Sequence, residues 1–162
     1  MPSVNQEILS ITEPGSAQIS ERLIMIKELT DRGVQVIAVA MPWFPFDQNY
    51  EDLPRALSAS GVNRVILATG VLAEEQRQQM ISSGHEKIVM AAELTKMNDK
   101  TGSTKNGYTI EMGARIDFLG KMIDSFNLFG IKAVICTSDN HDLVGKTTLP
   151  LCQQFKHRNF KI

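Results

Sequence analysis

The sequence predicts an open α/β fold: a mostly parallel sheet of about five strands with helices on both faces, a Rossmann-like three-layer sandwich. Three observations predict it. Short apolar runs alternate with longer amphipathic segments along the chain. Gly33, Gly61, Gly84 and Gly130 each follow a helix-like segment, where a chain leaving a helix needs a residue that tolerates positive φ. The runs 34–41, 62–68 and 133–136 are almost wholly apolar, as strands covered on both faces are.

Taken in order, residues 7–12 read as a weak first strand. Glu13, Pro14 and Gly15 then break the chain and offer Ser16 as a helix cap. Residues 16–32 follow as an amphipathic helix with Ile19, Leu23, Ile26 and Leu29 inward. The strand 34–41 runs into Pro42 and Pro45, which cannot pair inside a sheet, so Trp43, Phe44 and Phe46 leave it, to cover its end or, less in keeping with their type, to wall a pocket. A short helix is expected over 50–60, a strand over 62–68, a polar helix over 72–83 and a strand over 87–92 that ends at Glu93. Residues 95–108 are polar and without period, a long loop of the kind that carries function. Residues 115–129 form the last helix, with Ile116, Leu119, Ile123 and Phe126 inward, and residues 133–136 the last strand.

Composition narrows the function. A chain of 162 residues is expected to make one α/β domain, ending in a basic, solvated tail over 151–162. The formal net charge of −1 argues against a nucleic-acid or membrane-surface footprint. The two cysteines and three histidines show no zinc spacing and no disulfide framework, and Cys136 is expected as a small apolar side chain in its strand. The first ten residues, MPSVNQEILS, lack the basic and apolar regions of a secretory signal, which makes a reducing compartment such as the cytoplasm the expectation.

The segment GIKAVICTSDNHDLVGK is the richest in chemistry. Its strand runs directly into Ser138, Asp139, Asn140, His141 and Asp142, so carboxylates and an imidazole stand at a strand's carboxyl end, where open α/β sheets bind ligands. Gly145-Lys146-Thr147 has the ending of a phosphate-binding loop, but Asn140 stands where the first glycine belongs and Pro150 cuts short the helix that must follow. A metallophosphatase would need more histidines from other strand ends than this chain holds. Gly15 and Ser16, ahead of a helix, suit a carboxylate or phosphate.

Together these pieces resemble the D-glutamate cyclase family in three places. They are EPGSAQISERLIMIKELTDRGVQVIAV; Glu93 followed by NGYTIEMGARID; and GIKAVICTSDNHDLVG, with Asp139 and Gly145 six residues apart. The chain departs from the family at Leu94, where an arginine is usual, and at Asn140 and His141, which replace paired glycines. The resemblance implies a lyase that interconverts D-glutamate and 5-oxo-D-proline plus water. It implies Glu93 and Asp139 as the catalytic pair facing one pocket, with His141 and Asp142 in reserve. Gly15 and Ser16 would hold the α-carboxylate, Asn140 would line the site, and Asn106 and Tyr108 would close over the substrate. A divalent cation, Mn or Mg, would sit on Asp139 and Asp142, with no nucleotide cofactor. The expected partner is an acidic amino acid or its lactam, with no nucleic acid and no membrane, and oligomerisation is left open. The rival reading is a binding or interaction domain on the same scaffold without turnover. A further rival is an enzyme for a phosphorylated or nucleotide ligand seated at Gly15 and Ser16.

Overall fold

The computed structural model describes residues 3–40, 50–98, 107–137 and 140–152. Their order is α1 (Gln6–Thr12), α2 (Ile19–Asp31), β1 (Ala38–Ala40), α3 (Asp52–Ala59), β2 (Arg64–Leu67), α4 (Glu74–Ser82) and α5 (Glu86–Glu93). Then come β3 (Thr95–Asn98), β4 (Gly107–Ile110), α6 (Met112–Leu128), β5 (Lys132–Ile135) and a 3-10 turn (His141–Leu143). The fold is mixed α/β with open sheets. Strands β1, β2 and β5 form a parallel sheet in that order, and β3 pairs antiparallel with β4 in a second sheet.

The parallel sheet is in register from Ala38 opposite Val65 to Ala40 opposite Leu67, and from Arg64 opposite Lys132 to Leu67 opposite Ile135. Because side chains alternate, one row of these strands (Ala40, Val65, Leu67, Ala133 and Ile135) enters a single cluster. Against it pack Leu53 and Leu57 of α3 and Phe118, Leu119, Met122, Ile123 and Phe126 of α6, with Leu23 and Ile26 of α2 at its margin. Helices α3 and α6 also touch each other's ends. The Ser58 hydroxyl donates to the Phe129 carbonyl at 3.0 Å, and the Ser125 hydroxyl donates to the Tyr50 carbonyl at 2.8 Å. Strand order explains this adjacency. The chain moves in one direction from β1 to β2 to β5, so right-handed crossovers put both connecting helices on one face.

A second apolar cluster joins Ile8 of α1, Met80 of α4, Ile88, Ala91 and Ala92 of α5, and Leu72 and Ile110. Two segments expected as strands lie here as helices. Residues 7–12 belong to α1 because the Asn5 side chain accepts the backbone N–H groups of Glu7 and Ile8, at 2.9 and 3.3 Å, and caps a helix start. Residues 87–92 belong to α5, which buries Ile88, Ala91 and Ala92 at i, i+3 and i+4, so Glu93 ends a helix rather than a strand. Among the described residues, the expected parallel sheet of about five strands is therefore a sheet of three.

The other expectations divide. Helix α2 starts at Ile19, three residues after Ser16, and buries Ile19 while leaving Leu29 37% exposed. The run 34–41 pairs over Ala38–Ala40, where Val39 is 46% exposed because β1 is the outer member of the three strands, not one covered on both faces. Cys136 follows β5 and is half-buried. Residues 95–98 and 107–108, expected within a loop, belong to the β3–β4 pair, which extends to Ile110. Trp43, Phe44 and Phe46, residues 99–106 and residues 153–162 of the tail lie outside the described residues. No described helix is long and apolar enough to cross a membrane.

Candidate functional site at the sheet's carboxyl edge

The carboxyl ends of β2 and β5 are adjacent, and the segments leaving them are cross-tied. Asn140 is fully buried. Its Oδ1 accepts the Thr69 hydroxyl at 2.8 Å, and its Nδ2 donates to the Cys136 carbonyl at 3.1 Å. The amide therefore closes the turn after β5 and fastens it to the exit of β2. A buried side-chain amide persists because each polar atom finds a partner, and here both do.

Asp142, in the 3-10 turn, forms an ion pair with Arg115 of α6. Arg115 is 1% exposed, and its Nη1 also lies 3.4 Å from the Thr109 hydroxyl of β4. Three elements thus converge on one guanidinium: α6 carries it, β4 brings Thr109, and the turn after β5 brings Asp142. The pairing is incomplete. Arg115 Nε and Asp142 Oδ1 are both buried and have no hydrogen-bond partner among the described residues. An arginine facing a carboxylate usually forms two parallel bonds; this one is monodentate.

Glu93, Tyr108, Gly15 and Ser16 lie on other elements. Glu93 is exposed at the end of α5 and lines an open cavity of about 480 Å³ with Leu94, Lys96, Glu111, Asp117 and Lys121. Neither Asn140 nor Asp142 lines that cavity. Within it, Lys96 Nζ donates to Glu111 Oε2 at 2.9 Å, which holds the Glu111 carboxyl below its ordinary pKa. Tyr108 stands against α4. Its hydroxyl bonds the Glu74 carboxylate, which raises the phenol's pKa and lowers that of Glu74, and the Arg77 guanidinium lies 4.7 Å from its ring centroid.

Gly15 and Ser16 are exposed in the α1–α2 connection. The start of α2 is occupied by the chain's own groups: the Gln18 N–H donates to Glu21 Oε2 at 3.1 Å and the Ile19 N–H to Gln6 Oε1 at 3.0 Å. Of His141 only the backbone is described, in the 3-10 turn; Asp139 and Asn106 lie outside the described residues. Of the expected set, the structure brings together Asn140 and Asp142.

Sequence reasoning missed Arg115, Thr109 and Thr69. A signal existed for one of them. Arg115 precedes Ile116 on the helix stripe that carries Leu119, Met122 and Phe126, and a charge at a stripe position asks for a buried partner.

A divalent cation fits this arrangement poorly. Asp142 already faces a guanidinium, whose charge would repel a second cation on the same carboxylate. No group of three His, Cys, Asp or Glu side chains that could hold a metal ion occurs among the described residues.

Compared with known proteins, the chain matches no protein-family model, no curated protein and no solved structure.

Proposed function

We propose that the protein acts on an acidic amino acid or its lactam at the carboxyl edge of the parallel sheet, as a lyase of D-glutamate cyclase type. One observation carries this reading: a buried arginine with a donor unused among the described residues is paired with Asp142, two residues on from Asn140, at the edge where open α/β sheets bind ligands. The resemblance in sequence supplies the substrate class. In the cyclising direction, the amine of D-glutamate attacks its own side-chain carboxyl carbon, forming the C–N bond of 5-oxo-D-proline, and water leaves. The tetrahedral centre between them carries oxyanion character, which a fixed cationic donor stabilises. A carboxylate such as Asp139 takes the amine proton and returns one to the departing hydroxyl. The cation that the resemblance implies enters no step, since Asp142 is engaged by Arg115. Two free cysteines suit a reducing compartment such as the cytoplasm.

A binding domain without turnover is the second reading. The placement of Glu93 favours it, because this member of the expected catalytic pair lines a cavity that neither Asn140 nor Asp142 lines.

The test is ligand-dependent melting with D-glutamate, L-glutamate, 5-oxo-D-proline and common nucleotides, each with and without Mn²⁺ or Mg²⁺, followed by an activity assay on whichever ligand binds. Ligand at a hundred times its dissociation constant adds about 2.7 kcal/mol of stability. A shift selective for D-glutamate or its lactam, with turnover that Asp139→Asn removes, supports the lyase. Binding without turnover selects the binding domain, and a response to nucleotides alone overturns both.

A further inference from the structure

We infer that Arg115 is the seat of the ligand's carboxylate and that Asp142 occupies that seat when no ligand is bound. The inference rests on the reading of the sheet edge as a site for an acidic small molecule, and adds which residue recognises the acid and how the site is kept closed.

A pair that served only to brace the fold would use its groups fully, because an unmet buried donor or acceptor costs stability. Here the Arg115 side chain is 1% exposed and that of Asp142 16%, yet Nε of one and Oδ1 of the other have no partner among the described residues. The Thr109 contact, at 3.4 Å, is long for a hydrogen bond and leaves the fork unsatisfied. The two partners also differ in anchorage. Arg115 lies in the seventeen-residue helix α6, whose Leu119, Met122 and Phe126 are in the main cluster, so the guanidinium is held firmly. Asp142 lies in a three-residue 3-10 turn. A carboxylate on a short turn is the partner that can yield. A ligand carboxylate that displaced it could take Nη2 and Nε together, the bidentate geometry for which arginine is suited. The chain's own carboxylate then acts as a resident competitor, and apparent affinity falls by the fraction of time it holds the seat.

This assignment reverses the sign expected if Asp142 were a base or a metal ligand. Removing its charge should strengthen binding of the acid, not weaken it. The measurement is calorimetric titration of D-glutamate, 5-oxo-D-proline, glutarate and the uncharged lactam 2-pyrrolidinone into the full chain, Asp142→Asn and Arg115→Lys. The three acids should bind and 2-pyrrolidinone should not. Asp142→Asn should bind the acids about tenfold tighter or more, and Arg115→Lys about tenfold weaker or more. Equal or weaker binding by Asp142→Asn overturns the inference.

If none of the amino-acid ligands binds the unmodified chain, the cyclase reading fails while the seat is still tested by formate and acetate. These should raise the melting temperature of Asp142→Asn and leave Arg115→Lys unmoved; no response of Asp142→Asn overturns the seat as well. Should either variant fail to fold, the Arg115 Nε–H resonance of the unmodified chain decides. It should shift and gain exchange protection with saturating acid, and an unmoved resonance overturns the inference.

Discussion

Asn140 shows what one buried amide does at this edge. It spans two strand exits, bonding the Thr69 hydroxyl and the Cys136 carbonyl. Asn140→Ala leaves the buried Thr69 hydroxyl and the half-buried Cys136 carbonyl without these bonds, and should lower unfolding stability by about 1–3 kcal/mol in a urea titration. Thr69→Val should cost less when introduced into Asn140→Ala than into the unmodified chain, because the shared bond is already lost. Additive costs would show that the two side chains do not interact. Arg115 belongs at the same scale: its type is plain in the sequence, but only the approach of β4 and of the turn after β5 gives its charge partners.

Among the elements, the β3–β4 hairpin is the one whose formation depends most on a close approach. Tyr108 exchanges both backbone hydrogen bonds with Leu72, at 2.8 and 2.9 Å, so β4 lies between β3 and the segment ahead of α4. A Cβ on Gly107 would stand 2.1 Å from Val71 Cγ1 and 3.3 Å from the Leu72 carbonyl oxygen. Gly107→Ala should therefore destabilise by about 1–3 kcal/mol, because Val71 must leave its place; an unchanged denaturant midpoint would contradict this packing.

At the foot of the hairpin the Lys96–Glu111 pair sets a pH dependence. The folded Glu111 carboxyl has a depressed pKa, so its contribution is present above the unfolded carboxylate pKa and is lost as pH falls through the folded one. Both side chains are exposed, so the effect is small. Melting curves across the acid range should converge for the unmodified chain and Glu111→Gln as pH falls, and separate again above the carboxylate range.

Legibility also varied by element. Helix α6 and the strands β2 and β5 were readable because their patterns are long or wholly apolar. Helix α5 was not, because KIVMAA is a short apolar run, and such a run fits a buried strand and a buried helix equally. Its glutamate, methionine and alanine content was the available signal, since these are strong helix formers. Helix α1 was hidden in the same way, its cap Asn5 lying just before a seven-residue element.

The whole molecule is organised around two apolar clusters, and its response to mutation should follow them. Phe126 is fully buried where α6 meets the sheet, and Phe126→Ala should cost about 3–5 kcal/mol. Leu128, two residues on and 71% exposed, should tolerate serine within about 0.5 kcal/mol. Equal losses at the two positions would mean that α6 does not present this face to the core. The α/β class, the apolar strands, the glycine-ended helices and the polar cluster after β5 were determined by the sequence alone, because each is written in local periodicity and residue type. Tertiary structure decided that three strands share the parallel sheet among the described residues, that Glu93 ends a helix and lines a cavity that Asp142 does not, and that Arg115 is buried against Asp142. Those outcomes depend on which surfaces meet across the chain, and the pattern within a single segment carries no information about its partner.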